Sequence, residues 1–480
     1  MEEEGGHSVV NVLENPATKW CSVTLSDVID RGKRLEASVF DVEAKQARDL
    51  ILKGKNPVAF LGGNNGLTSS YTGARFKRIW LKKSNLPIYQ PSSIVDIKPT
   101  PDGYISHLTQ VNIDNLRVRK GQILMTCSGT IGKVSLVSNT LDNCIFSHDL
   151  LRINCNNDLD IGYIYTYLKS RVGNKILLTN SYGAVITHIE PEHLASVPIP
   201  NAPEEIKKKI HDLIMRSYEL RDESNELLDK AEQILVEEMK LPPIEEMLNA
   251  EDTVETFNVK LSELNKRADA SYHVPVVKAI VKHLKEHAGE LTTIGDERIS
   301  KKIILAGVFK RTYVEEEYGY PFLGGKEITQ LNPKTEKYLS KAVHKARYEK
   351  ELRVSENMIL VSDRGTIGTV ALVPKHWNNY AVSQNVLKVI PSNNNIAGYL
   401  YVFLNSEYGK LLTCRETYGS VVDMIDNHSL ATIEFPLLKD KTKQAQINAL
   451  ALEANDKRYQ AYCLEQEALT IMNKEVLCIE

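Results

Sequence analysis

One pentapeptide of the chain has the letters of a metal site. His283-Leu284-Lys285-Glu286-His287 is H-x-x-E-H, which on a helix sets two imidazoles one turn apart beside a carboxylate, as in inverted zinc peptidases. The apolar stripe around it runs through Val277, Ile280, Val281 and Leu284 and leaves His283 aside. The matching positions in the first half of the chain, Leu50 and Gly54, carry no ligand. The expectation is a solvated helix face with no metal. Phe60-Leu61-Gly62-Gly63-Asn64-Asn65-Gly66 is glycine-rich, but nothing frames it as a phosphate cradle, so it reads as a flexible loop. The chain has no GxxxxGK[ST], no GxSxG and no Asn/Asp-Pro-Pro-aromatic tetrapeptide to hold an amine for methylation. No catalytic residue is assigned.

The remaining chemistry is that of cations. Net charge is −3 over 480 residues, yet residues 20–202 hold 21 Lys/Arg against 15 Asp/Glu and residues 259–439 hold 25 against 20. Residues 203–250 hold 7 against 13. Basic globules joined by acidic connectors suit a polyanionic partner. The candidate contacts are Arg75, Lys77, Arg78, Lys82 and Lys83 in the first globule. In the second they are Lys310, Arg311, Lys326, Lys341, Lys345, Arg347 and Arg364. Phe76-Lys77-Arg78 returns as Phe309-Lys310-Arg311, so these positions belong either to a shared scaffold or to shared phosphate clamps. A solvated charged face is the plainer alternative, most of all for 326–353.

These residues sit on a framework that occurs twice. SGTIGKVSLV at 128–137 returns as RGTIGTVALV at 364–373, a shift of 236. The same shift carries Ser147–Leu151 onto Ser383–Leu387, Gly162-Tyr163 onto Gly398-Tyr399 and Pro200 onto Pro436. Solenoid units recur every ~20–50 residues, so this is a whole domain present twice. In the first copy the sequence predicts a short strand over CSVTLSDV at 21–28 and a helix over about 39–53. Strands follow at 121–127, 133–138 and 150–154, with one amphipathic helix over 160–179 whose face holds Ile161, Ile164, Tyr165 and Leu168. The GTIG turns read as hairpin corners whose glycines supply backbone angles that other residues resist.

Between the copies the pattern changes. Ile206, Leu213, Leu220, Leu227 and Ile234 recur every seven residues, with Ile210, Ser217, Ser224 and Ala231 between them. This is a heptad seam with large residues on one side and mostly small ones on the other. The tail repeats it, with Ile447, Ala454, Ala461 and Ala468 on one seam and Leu450, Lys457, Leu464 and Ile471 on the other. The expectation is two long helices paired antiparallel as an intramolecular coiled coil. The alternative is that each helix packs on its own globule. The layout is then a polar leader (1–19), a first domain (20–202), a spacer helix (203–241), a linker (242–258), a second domain (259–438) and a second spacer helix (439–480). The fold class is α+β, two mixed globules alternating with two paired helices, pseudo-twofold.

No apolar run is long enough to span a membrane. Seven cysteines, an odd number with no CxxC pair, fit a reduced cytoplasmic protein.

With these features the chain resembles the specificity (S) subunit of type I restriction–modification systems. The resemblance is carried by the strand–GTIG–strand units at 123–137 and 359–373 and by VPIPNAPEEIKKKI at 197–210, similar to that family's lead into its spacer helix. Arg267-Ala268-Asp269-Ala270-Ser271-Tyr272 with Pro275 is similar to its domain-opening segment. Asn201-Ala202-Pro203 and Ile206 depart from the family's double proline and glutamine, and the tail copy at 436–447 has lost most of the motif. The resemblance implies two target recognition domains, each reading one half of a split, asymmetric double-stranded DNA sequence. It implies paired helices that space them and dock two methyltransferase (M) subunits. The M subunits would bring S-adenosylmethionine and methylate adenine at N6, and a restriction (R) subunit is an optional further partner. The chain itself would hold no cofactor and catalyse nothing. Competing readings are a coiled-coil adaptor joining two protein-binding domains, and a specificity module of a phage-defence methylation system without a type I nuclease.

Overall fold

The computed structural model describes residues 22–30, 33–183, 187–247, 256–264, 267–333, 337–419 and 422–479. The leader expected at 1–19 and the linker residues 248–255 lie outside them. Contacts divide the chain into two units, Met1–Glu219 with Cys463–Glu480, and Leu220–Tyr462. The division falls inside both long helices.

In the first unit the strands are β1 (Val58–Phe60), β2 (Thr68–Thr72), β3 (Trp80–Leu81), β4 (Pro87–Tyr89) and β5 (Gly103–Ile105). They continue with β6 (Ile123–Thr126), β7 (Val134–Leu136), β8 (Ile145–Phe146), β9 (Leu150–Cys155) and β10 (Pro198–Pro200). They form a pair β1-β10 and two four-stranded sheets, β2-β9-β6-β7 and β3-β5-β4-β8, in which only β4 and β8 run parallel. The second unit repeats this strand for strand. Its strands are β11 (Glu290–Thr293), β12 (Ser300–Ile304), β13 (Tyr313–Val314), β14 (Gly319–Leu323) and β15 (Tyr338–Ser340). Then come β16 (Ile359–Ser362), β17 (Val370–Leu372), β18 (Ala381–Val382), β19 (Val386–Pro391) and β20 (Glu434–Leu437). The sheets are β11-β20, β12-β19-β16-β17 and β13-β15-β14-β18, with β14 and β18 parallel.

Residues that align in the repeat also bond alike. Tyr163 donates to the carbonyl of Pro200 at 2.5 Å, and Tyr399 to that of Pro436 at 2.8 Å. In both GTIG turns the glycines take positive φ, +71° and +81° at Gly129 and Gly132 and +77° and +80° at Gly365 and Gly368. The expected hairpin corner is present in each copy.

The first spacer helix spans Glu204–Met239. Pro203 precedes it and two glutamates open its first turn, where the helix dipole favours negative charge. It ends in a Schellman turn. Lys240, at φ +50°, donates to Glu237, and Leu241 donates to Val236, before two prolines. The second spacer helix spans Lys441–Ile471 and is capped by Asp440, which accepts from the amide of Thr442 at 2.8 Å. The helices pair antiparallel: Lys209 meets Glu475 at 3.7 Å, and Lys457 meets Glu223 at 2.7 Å.

They pack on the globules as well, so the two alternatives drawn from the sequence hold together. In the first unit Lys207 pairs with Asp160 at 2.7 Å, and Tyr218 accepts from the amide of Leu136 at 3.0 Å. In the second, Asn448 accepts from the amide of Gly398 at 2.8 Å, and Asn455 donates to the carbonyl of Val373 at 3.0 Å. A Cβ at Gly162 would lie 2.6 Å from the Cα of His211, and one at Gly398 would lie 2.4 Å from the carbonyl oxygen of Asn448. Only glycine permits that approach.

Several expectations are corrected. The segment read as a strand at 21–28 is helical over Leu25–Asp30, because the side chain of Asp27 caps the amide of Thr24 and competes with extension. The helix expected over 160–179 is two, Leu159–Lys169 and Arg171–Leu178. Ser170 sits between them, and its hydroxyl caps the second through the amide of Gly173. The first of these is buried nearly all round rather than on one face. The seam is also rotated. Ile210, Ser217, Ser224, Ala231, Ala454, Ala461 and Ala468 are fully buried, whereas Ile206, Leu213, Leu227, Leu450 and Leu464 are half-buried. Small residues sit innermost because each helix must approach a globule and its partner helix at once. Leu220, Ile234, Ile447 and Ile471 are buried as expected. Finally, His283 and His287 are half-buried on a face whose Lys282, Lys285 and Glu286 are exposed. Their rings stack at 4.0 Å, and His283 Nε2 bonds the carbonyl of Met239 at 2.9 Å at the end of the first spacer helix.

Candidate nucleic-acid interface

Strand β3 is the outer strand of its sheet, pairing with β5 alone. Its flanks hold every basic candidate of the first domain. Arg75, Lys77, Lys82 and Lys83 are exposed, and so are Ile79, Trp80 and Leu81 between them. Trp80 is 50% exposed, and it keeps its place by lying over Gly103, where a Cβ would come within 2.8 Å of the ring. Arg78 is half-buried between the rings of Phe76 (5.7 Å) and Trp80 (5.8 Å). A solvent-facing indole among five cations is an unusual edge for a soluble sheet, since exposed edges are normally blunted by short strands, charge, proline or bulges and not marked by a large ring. It can offer phosphate contacts and a flat apolar face together.

His148, just before β9, stands edge-on to Phe76 at 6.4 Å. Burial lowers its pKa first of all, and Arg75 and Arg78 lower it further, although Asp149 opposes them. The imidazole is therefore neutral at pH 7. At the equivalent position of the second domain stands Gln384, which accepts from Arg311 at 2.7 Å. Arg311 also lies over the ring of Phe322 at 5.4 Å. Position 148 and its counterpart 384 face the same basic segment in each copy and differ in type.

The second domain distributes its charge differently. After β13 come Glu315, Glu316 and Glu317, all exposed, where the first domain has lysines. Lys301 and Lys302 on the outer strand β12 are exposed, and so are the candidates Lys310, Lys326, Lys341 and Lys345. The last two lie on the helix Lys341–Arg347, which Ser340 caps through the amide of Val343. Lys341 donates to the carbonyl of Glu317 at 3.1 Å. Arg347 and Arg364 are engaged within the fold. Arg347 pairs with Glu351, donates to the carbonyl of Gly307 at 3.1 Å and covers the ring of Phe309 at 4.9 Å. Arg364 holds the buried carboxylate of Asp363 at 2.8 Å.

Sequence reasoning missed one matched pair of cations. Arg152 on β9 and Lys388 on β19 are both buried. Arg152 donates to the carbonyls of Leu116 (2.9 Å), Leu150 (3.1 Å) and Phe146 (3.2 Å), and Lys388 donates to that of Glu351. Burial lowers the pKa of Lys388 to about 8. The signal was available, as a lone cation at the same place in an otherwise apolar strand of both copies.

Among the described residues no group of three or more His, Cys, Asp or Glu could hold a metal ion, and no helix is long and apolar enough to cross a membrane.

A doubled domain of two small sheets on paired helices is the layout of a known protein family. The family model of the type I restriction modification DNA specificity domain matches residues 69–233 and 275–457, and the chain belongs to that family. Among solved structures, the S subunit of the type I restriction-modification system of M. genitalium is 14% identical. That match covers 87% of this chain and 96% of that one, with a TM-score of 0.30. The HsdS subunit of Thermoanaerobacter tengcongensis is 13% identical over 87% of this chain and 99% of that one, with a TM-score of 0.26. A chain from work on complex assembly and conformational transition of the type I R-M system is 15% identical over 88% and 98%, with a TM-score of 0.27. Scores this low add nothing to the assignment, which rests on the family model. No curated protein sequence matches the chain.

Proposed function

We propose that this chain is the DNA-reading, non-catalytic subunit of a type I restriction–modification enzyme, with each globule reading one half of a split and asymmetric target. The observation that carries the reading is the doubling itself. One strand arrangement occurs twice with different outer residues, Lys82-Lys83 after the edge strand β3 in one copy and Glu315-Glu316-Glu317 after β13 in the other. A shared scaffold with different outer residues suits two different half-sites, because phosphate contacts position a protein while base contacts specify. The spacer helices set the separation of the half-sites, which for two major-groove faces is about one helical turn, ~34 Å. Their half-buried leucines, Leu213, Leu227, Leu450 and Leu464, are the apolar surface on which two M subunits dock. Those subunits supply S-adenosylmethionine and methylate adenine N6, and an R subunit joins where cleavage is needed.

The test is long-read methylation mapping of the host genome with and without the gene. Loss of one split, asymmetric adenine-methylated motif on deletion is the expected result. An unchanged methylome in a host that expresses the M subunit would move the adaptor reading ahead. Leu227→Asp with Leu464→Asp, at half-buried positions, should abolish copurification with the M subunit while leaving thermal unfolding nearly unchanged.

A further inference from the structure

Beyond DNA recognition, the first copy has a cavity at positions where the second carries a ring and a charge network. In the second domain Arg267 pairs with Asp269 at 2.6 Å and donates to the carbonyl of Thr417. The ring of Tyr272 lies against two guanidiniums, those of Arg267 (4.6 Å) and Arg415 (5.4 Å). Arg415 in turn pairs with Glu416 at 2.7 Å and Glu434 at 2.6 Å.

The first domain builds the same wall. Arg34 pairs with Glu36 at 3.2 Å and donates to the carbonyl of Ser181 at 2.8 Å. Lys45 pairs with Asp27 as Lys278 pairs with Glu263. At the four positions that supply the second domain's ring and charge network, however, stand Val39, Thr179, Asn180 and Pro198. These four residues line a cavity of about 760 Å³ together with three cations, Arg34, Lys45 and Arg48, and two carboxylates, Asp27 and Asp49, of which Asp27 pairs with Lys45. That is the size range of small-molecule sites, roughly 300–1,000 Å³. Arg48 takes the place of Val281 and is held by Asn180 Oδ1 at 2.7 Å, so the first domain adds a guanidinium where it has lost a ring.

We propose that this cavity binds a small aromatic anion, its ring on Arg34 as Tyr272 lies on Arg267 and its carboxylate or phosphate at Arg48. Stacking on a guanidinium favours a flat π face, and Arg48, which donates to Asn180 Oδ1 and the carbonyl of Ile176, can add a charge-assisted bond to an anion. A neutral ring or a bare anion supplies only half of this complement. The shared chemistry could come from an aromatic acid or from a nucleotide.

The test is isothermal titration calorimetry of the full chain with 4-hydroxyphenylacetate and with AMP, and with adenosine and inorganic phosphate as half-ligands. Saturable binding of at least one aromatic anion is expected, with both half-ligands weaker by about tenfold or more. Binding of AMP alone assigns the nucleotide source, and binding of 4-hydroxyphenylacetate alone the aromatic acid. Val39→Tyr, which restores the second domain's ring, should weaken the bound anion by about tenfold or more without lowering Tm. Asn180→Glu, the second domain's residue at that place, sets a carboxylate on Arg48 and serves the same purpose should Val39→Tyr fail to fold. The proposal is overturned if neither anion saturates, if phosphate binds as well as AMP, or if the filled variant binds as the parent does.

Discussion

The two domains agree in the sheet that lies against the spacer helices and part along their outer strands. Strands β6, β7 and β9 match β16, β17 and β19 at one constant shift, and each docks on the spacer helices through a glycine and a polar bond to a helix residue. The outer segments do not keep that register. β3 and β13 differ by 233 and β5 and β15 by 235, and the charge after the edge strand reverses from Lys82-Lys83 to Glu315-Glu316-Glu317. Close-packed interiors tolerate little change in volume, whereas an edge strand tolerates much. A duplicated domain can therefore diverge in what it reads while the platform beneath it stays the same.

The largest effect should come from breaking the shared platform. Gly398→Val would push a Cβ into the backbone of Asn448 and destabilise the second unit by about 3 kcal/mol, and Gly162→Val should act in the same way on the first. Urea unfolding followed by near-UV circular dichroism reads both. Equal losses would support equivalent docking, and an unaffected variant would mean that its domain is not held as described.

The buried cations sharpen the comparison. Lys388 titrates in the folded state near 8, below its ordinary 10.5, so between these values the unfolded chain holds a proton that the folded one has shed. Stability of the second unit should therefore rise with pH across that window, by on the order of 2 kcal/mol up to about pH 10. Below about pH 8 the lysine is charged in both states and the rise is absent. Lys388→Arg, the residue the first domain uses at this place, should abolish the rise. Taking the difference between the two proteins cancels the tyrosines, which titrate higher.

Charge placement should separate the domains in DNA binding. Lys82→Gln with Lys83→Gln should weaken binding about tenfold at moderate salt and reduce the log–log salt slope by about 2. Arg347→Gln and Arg364→Gln should each leave the slope nearly unchanged, because both guanidiniums already hold carboxylates within the fold. Fluorescence anisotropy over a salt series measures both. The smallest effect is expected at His283→Ala, which removes the bond to Met239 and should cost about 1 kcal/mol, with no change in bound zinc.

The repeat, the strand–GTIG–strand hairpins, the length of the first spacer helix and the family were all legible in the amino-acid order. Local signals fix each of them: a constant shift between copies, glycine where φ must be positive, a seven-residue period closed by prolines. The tertiary structure alone decided which stripe of each helix is innermost, because that depends on how many partners share one face. It placed His283 at the end of another helix, a contact between residues 44 apart in the chain. It turned Arg347 and Arg364 from free cations into ion-paired ones, since the carboxylates they hold are chosen by chain folding and not by composition. The cavity of the first domain likewise depends on four positions scattered from 39 to 198, which become neighbours only once the opening segment, the short helices and β10 have packed together.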